Sequence, residues 1–195
     1  MHFSIVFRIL GVLLMLFSIL ANLPSILVSI LHDDGELSSF FISLAITFST
    51  GFFLWILTLK SSMELRTRDG FLIVTLFWSV LGAFGALPFF FSQSLPLTIT
   101  NAVFESISGL STTGATVIVG LDALPRSILF YRQQLQWLGG MGIVALAVAV
   151  LPMLGIGGMQ LYRAESPGPV KNDNLVPRLA ETAQALWYIY LALTA

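Results

Sequence analysis

Ser111-Thr112-Thr113-Gly114-Ala115-Thr116-Val117-Ile118-Val119-Gly120 is a threonine- and glycine-rich run set between two apolar segments. Threonine hydroxyls can ligate a monovalent cation, and the branched Cβ of threonine favours extended backbone. Gly114 admits dihedrals in which successive carbonyls face one axis. Before the run, Thr98 to Leu110 reads as helix, yet it is too short to cross a bilayer. After it, Asp122 to Arg132 reads as a loop and helix entry, and Gln133 to Leu154 as a full span. Irregular backbone at membrane depth survives only where protein buries it or where it lines a water-filled cavity. Carbonyls and hydroxyls in such a cavity replace the hydration shell of a cation. The partially negative C-terminal end of the preceding helix would point towards that ion. The pattern predicts a helix that dips in, an extended ligand segment and a spanning helix. An ordinary loop buried between helices is the alternative, and Thr-Thr-Gly alone does not decide between them.

Composition makes lipid the solvent for much of this chain. Charged residues are 10% and apolar residues 56% of the 195, with mean hydropathy +0.91. Soluble domains carry about 25% charged residues, so this chain cannot cover a globular surface with polar groups. A net charge of -1 excludes a broad basic surface for nucleic acid. The absence of cysteine removes disulfides, thiolate metal sites and cysteine nucleophiles. His2 and His32 are the two histidines, so a zinc site or histidine relay is not expected. No enzyme is expected either. An intramembrane serine protease needs a base near its serine, and no histidine or lysine lies within a span.

Outward from the deciding run, Ile9–Leu31 and Leu37–Leu59 each carry no charge and each exceed the roughly 20 residues a spanning helix needs. A signal peptide is the competing reading of the first, but its apolar part is too long and Ser29-Ile30-Leu31 is a poor cleavage site. Lys60 to Asp69 reads as a charged loop, and Gly70 to Phe91 as a third span interrupted at Pro88. Ser92-Gln93-Ser94-Leu95-Pro96 is a polar turn. Gln160 to Glu181 is a mixed-charge segment read as a cytoplasmic loop, and Thr182 to Ala195 is apolar but too short to cross. The chain stops within that apolar run, and further transmembrane sequence is expected beyond Ala195. With the N-terminus in the cytoplasm, Arg8, Lys60, Arg66, Arg68, Arg163, Lys171 and Arg178 all fall inside. Only Arg126 and Arg132 fall outside, with the acidic cluster Asp33, Asp34 and Glu36. This count requires Thr98–Gly120 to enter and leave on the same, outer face.

Several stretches are specific enough to name a family. Phe104-Glu105-Ser106 runs into Gly109-Leu110-Ser111-Thr112-Thr113-Gly114-Ala115-Thr116. Gly120-Leu121-Asp122, Leu129-Phe130-Tyr131-Arg132-Gln133 and Gln136-Trp137-Leu138-Gly139-Gly140-Met141-Gly142 follow. With Arg68-Asp69-Gly70-Phe71-Leu72-Ile73-Val74 and Gly157-Gly158-Met159-Gln160-Leu161-Tyr162-Arg163-Ala164-Glu165, they resemble the membrane subunit of the bacterial Trk potassium uptake system, in the Trk/Ktr/HKT superfamily. The resemblance covers essentially the whole chain. It implies an all-α integral membrane fold: two leading helices, then four helix–pore loop–helix repeats around a single potassium path, as in potassium channels. Residues 1–60 resemble the leading pair, 70–158 the first repeat, 159–178 a cytoplasmic linker and 179–195 the start of a second repeat. Each repeat supplies one filter strand, so this chain would supply the first of four. The family's filter glycine falls on Gly114 and its ion-facing threonines on Thr112 and Thr113. The candidate potassium-binding set is Thr112, Thr113, Gly114, Ala115 and Thr116.

The resemblance further implies potassium as transported ligand with no cofactor, a homodimer when full length, and a cytoplasmic nucleotide-binding regulatory subunit as partner. It implies a bacterial inner-membrane, multi-pass location. Channel-like transport and coupled symport both remain open. A homo-oligomeric cation channel and a non-conducting assembly subunit are the alternatives. Glu105, the one ionisable residue inside the short helix, is read as a brace supporting the filter, with a cation attractor as the competing role. Tyr131 and Arg132 are read as interfacial anchors, the arginine reaching outward; contact with the pore helix is the lesser alternative. Gly139-Gly140-Met141-Gly142 is read as a close-packing site.

Overall fold

Long, largely uncharged sequence forms the first two elements of the computed structural model, which describes residues 3–59, 67–150 and 175–194. α1 (Phe3–His32) and α2 (Leu37–Leu57) are antiparallel and cross where two glycines meet. A Cβ on Gly11 would lie 2.7 Å from the Gly51 carbonyl oxygen, so neither position admits a larger residue. The seam between them is polar. Ser18, Asn22, Ser25 and Ser29 of α1 and Ser39, Ser43 and Thr47 of α2 are all buried. Small polar residues of this kind let membrane helices approach closely. Ser25 and Ser43 return their hydroxyl protons to carbonyls four residues back in their own helices, which removes the cost of burying them.

The third span is broken, as its proline predicts. α3 (Thr67–Gly85) and α4 (Leu87–Phe91) are separated at Ala86, and Pro88 sits in the first turn of α4, where its missing N–H costs nothing. The helix begins at Thr67, so Arg68 and Asp69 belong to it and not to the expected charged loop; residues 60–66 lie outside those described. α5 (Ile99–Leu110) is the expected short helix, capped by Thr98, whose hydroxyl accepts from the Asn101 backbone N–H. The small face of α3 admits it: Gly82 lies against Ile107 and Gly85 against Ser106.

After the non-helical stretch, a 3-10 turn (Leu121–Ala123) leads into α6 (Arg126–Val150). The expected loop and helix entry over Asp122–Arg132 divides at Arg126, where the helix begins; residues 151–154 of the expected span lie outside those described. α6 repairs what the prolines open. Pro24 leaves the Leu20 carbonyl of α1 without its helical donor, and Gln134 Nε2 donates to it. The Gly85 carbonyl, at the break before α4, accepts from the Tyr131 hydroxyl at 2.9 Å. Tyr131 is fully buried between the rings of Phe40 and Phe89, with centroids 5.5 and 5.2 Å away. The core around it includes Leu14, Phe17, Ala21, Leu81, Ala102 and Leu135.

Residues 1–139 form one compact unit and 140–195 another. In the second, α7 (Leu175–Thr194) takes in part of the segment expected to be a linker, and Leu175–Glu181 is helical. Gly140 faces Tyr190 there; a Cβ would lie 2.5 Å from its hydroxyl. Residues 151–174, including most of the expected cytoplasmic loop, lie outside those described. α1, α2 and the 72–91 stretch are each long and apolar enough to cross a membrane.

Candidate functional site

The site is built on the C-terminus of α5. A helix leaves its last carbonyls without partners, and here the chain turns back to satisfy them. Thr112 N donates to the Gly109 carbonyl at 2.9 Å and Thr113 N to the Ser108 carbonyl at 3.0 Å. That pairing is a Schellman turn, whose left-handed residue is usually glycine. In this chain the position is Thr112, at φ +56. A β-branched residue in that region is an outlier, and its sequence gave no warning of it. Gly114 follows at φ +71, with nothing within 4 Å of where a Cβ would stand.

From Gly114 the segment runs extended and is pinned from behind. Ser108 donates its hydroxyl to the Ala115 carbonyl at 2.7 Å. One oxygen of Glu105, Oε1, accepts from the Thr116 hydroxyl at 2.6 Å and from Val117 N at 2.7 Å. The Thr116 hydroxyl accepts in turn from Ile118 N. The other oxygen, Oε2, takes Arg132 Nε at 3.1 Å, and both side chains are buried. So Arg132 does not reach outward as the sequence reading expected. Burial strongly disfavours an unpaired charge, and the nearest compensating group is the carboxylate one helix away. Tyr131, the other expected anchor, is likewise buried and not interfacial.

All five candidate ligand residues, Thr112, Thr113, Gly114, Ala115 and Thr116, lie together on this exposed segment. They do not offer the same atoms. The Thr116 hydroxyl is committed to Glu105, and the Ala115 carbonyl already accepts from Ser108. Thr113 Oγ1 pairs with Ser111 Oγ at 2.8 Å. Among the described residues, nothing donates to the carbonyls of Thr112, Thr113 and Gly114. No cluster of three or more acidic or histidine side chains that could hold a metal occurs among the described residues.

Behind this, Gly139 of α6 passes the end of α5; a Cβ there would collide with the Leu110 carbonyl. Both flanks of the segment return to one place. Ser92 and Ser94, which lead into α5, bond to Glu36. Ser127, in the first turn of α6, donates its N–H to Asp34 Oδ2 at 2.9 Å. Asp34 and Glu36 sit in the turn joining α1 to α2, so the short helix enters and leaves at the same end of the leading pair. The sequence reading placed these acids only in an outer acidic cluster. Burial acts to raise the Asp34 carboxyl, but hydrogen bonds from Ser29, Ser127 and the Glu36 N–H outweigh it and hold its pKa below the ordinary value.

Comparison with known proteins agrees with this architecture. The family model TrkH, described as cation transport protein, matches residues 36–195. The Trk system potassium uptake protein TrkH of Halomonas elongata is 59% identical over 194 residues, covering 100% of this chain and 40% of the relative. The protein of the same name from Escherichia coli is 58% identical over 198 residues, again covering 40% of its length. A crystal structure of the potassium transporter TrkH from Vibrio parahaemolyticus superposes with a TM-score of 0.83 at 51% identity, over 100% of this chain and 38% of that one. This chain therefore spans about 40% of the length of these curated relatives. Two leading membrane helices followed by a helix–pore loop–helix unit is the fold expected from the sequence, and it is the fold found. The chain belongs to the TrkH family of cation transport proteins.

Proposed function

We propose that this chain contributes to potassium uptake across a membrane, supplying one strand of a selectivity filter, the first of four in the complete path. The observation that carries this is the row of three carbonyls, Thr112, Thr113 and Gly114, to which nothing among the described residues donates, while the segment behind them is fixed by Ser108 and Glu105. A dehydrated cation needs oxygen ligands held in place before it arrives. Backbone strain supports the same reading. Glycine would be the cheaper residue at the Thr112 turn, and strain of this kind collects at functional sites. In the proposed set, Thr112, Thr113 and Gly114 contribute carbonyls. Thr116 contributes its carbonyl next in line and gives its hydroxyl to the brace, and Ala115, whose carbonyl accepts from Ser108, belongs to the set as the residue pinned from behind. The relatives are named as potassium uptake proteins, which supports potassium as the ion.

The N-terminus then lies in the cytoplasm, placing the α1–α2 turn and the loop mouth outside. A bacterial inner-membrane location, a homodimer and a nucleotide-binding cytoplasmic partner accompany this reading through the family resemblance.

The test is ion flux into liposomes holding a full-length protein that carries this chain. Potassium uptake supports the reading. Absence of flux with the protein correctly inserted favours an assembly subunit instead.

A further inference from the structure

Glu36 is a fully buried carboxylate with no arginine or lysine paired to it among the described residues. Its charge is met by hydrogen-bond donors alone. Ser39 Oγ donates at 2.8 Å, Ser92 Oγ at 2.8 Å and Ser94 N at 3.0 Å. The Phe91 carbonyl, 3.0 Å from the same Ser39 hydroxyl, is a second acceptor for its one proton, so the start of α2 sits against the end of α4. Two residues earlier, Asp34 binds the first turn of α6 through Ser127 N, 93 positions along the chain. Packing α2 against α4 needs no charge here. A buried ion held only by geometry-dependent bonds specifies position, because a small displacement strands it.

We propose that the Asp34–Glu36 turn between the leading helices is a clasp that positions the pore loop, with Glu36 as a positioning residue for ion selection. The inference rests on the filter reading above. The middle of the stretch from Ser94 to Ser127 packs on α3 and α6, and both of its ends are attached to this one turn. Sites that discriminate between similar ligands demand placement to about 0.5 Å. Releasing one end lets α5 tilt slightly on α3 and α6, and in this account a small tilt is enough to misplace the carbonyls of Thr112 to Gly114. The leading pair lies outside the pore-loop repeat, and in this account it sets the repeat's register with the path.

The experiment compares potassium-to-sodium flux ratios in a full-length protein carrying this chain, at matched membrane abundance. Glu36→Ala removes the acceptor for all three donors and should lower the ratio by roughly three- to tenfold, the size of one ordinary hydrogen bond. Glu36→Gln keeps an oxygen facing Ser92 and Ser94 and should restore most of it, whereas Glu36→Met, of similar volume but without an oxygen acceptor, should not; rescue by both would mean that packing volume alone is at work. Gly114→Ser serves as the reference. If Gly114→Ser alters the ratio and Glu36→Ala leaves it unchanged, the clasp is refuted and the filter stands. If neither alters it, the filter reading fails and takes the clasp with it. Should Glu36→Ala not reach the membrane, Ser92→Ala decides. That variant removes one hydroxyl; a lowered ratio supports the clasp and an unchanged one overturns it.

Discussion

Glu105 Oε2 lies 3.1 Å from Arg132 Nε, and this buried pair ties the pore helix to the span that follows it. Because Oε1 of the same carboxylate holds Thr116 and Val117, one side chain fixes helix, extended segment and span together. Removing one partner of a buried pair costs about 3–5 kcal/mol, because the other charge stays buried alone. Arg132→Met should therefore lower the thermal unfolding midpoint of the purified protein strongly. Arg132→Lys keeps the charge without the planar fork and should lose less. An Arg132→Met protein as stable as its parent would show that the pair contributes nothing.

Thr112 holds φ +56 at a turn where glycine is the usual residue. A left-handed residue with a Cβ costs about 1–2 kcal/mol, and the extra freedom of an unfolded glycine offsets part of that. Thr112→Gly should thus stabilise the protein by about 0.5–1 kcal/mol while reducing discrimination between potassium and sodium, since the side chain and its constraint on the carbonyl are lost. Unfolding midpoints and flux ratios on the same preparations check both halves. A variant that is less stable and equally selective contradicts the account of this turn.

The pKa of Asp34 is held below its ordinary value of 3.8. Its contribution to stability is therefore complete above that value and is lost as pH falls through the lower pKa of the folded state. Asp34→Asn removes this titration. Unfolding midpoints followed from neutral pH to below about 4 should converge for parent and variant at the acid end. Midpoints that stay separated by a constant amount would mean that the carboxylate's ionisation is irrelevant to the turn.

Gln93 and Ala123 flank the re-entrant segment and are both exposed. Single cysteines at the two positions should both react with an impermeant thiol reagent applied from outside the cell. Labelling of one alone is incompatible with a loop that enters and leaves on the same face.

Much of the fold could be read from sequence because lipid and backbone hydrogen bonding impose simple rules. Uncharged runs long enough to span marked α1 and α2, and Pro88 marked the break near Ala86. Thr98 and the short apolar run after it marked α5 closely. Charge was a poorer guide to helix ends: α3 begins inside a segment read as a loop, since Arg68 and Asp69 are tolerated in a first turn, and α6 begins within the segment read as loop and helix entry. Arg132 was misplaced for a related reason. An arginine at the head of a span suggests an interface, and only the fold brings Glu105 within reach. The roles of Asp34 and Glu36 depend on partners more than fifty residues away, which no local pattern encodes. The strain at Thr112 was equally hidden, because a threonine gives no sign of a left-handed turn. The close approach at Gly139 was anticipated, whereas the Gly11–Gly51 crossing was not.

Gly114 and Gly120 allow the central claim to be tested with strain held equal. Their φ values are +71 and +75, and neither has an atom within 4 Å of where a Cβ would be. Serine therefore meets the same backbone penalty at both, of order 1 kcal/mol, and no clash at either. What differs is place: Gly114 lies in the row of carbonyls to which no described residue donates, and Gly120 opens the 3-10 turn beyond it. The strain at Gly114 can be relieved by turning a carbonyl away from the path, which affects the smaller and larger ions unequally. The decisive measurement is the ratio of unidirectional potassium to sodium flux for Gly114→Ser and Gly120→Ser in a full-length protein, at matched membrane abundance. A ratio changed by Gly114→Ser and nearly untouched by Gly120→Ser is the predicted result. Equal changes, or an unaltered ratio in Gly114→Ser, would show that the threonine–glycine segment is a structural loop and not the filter.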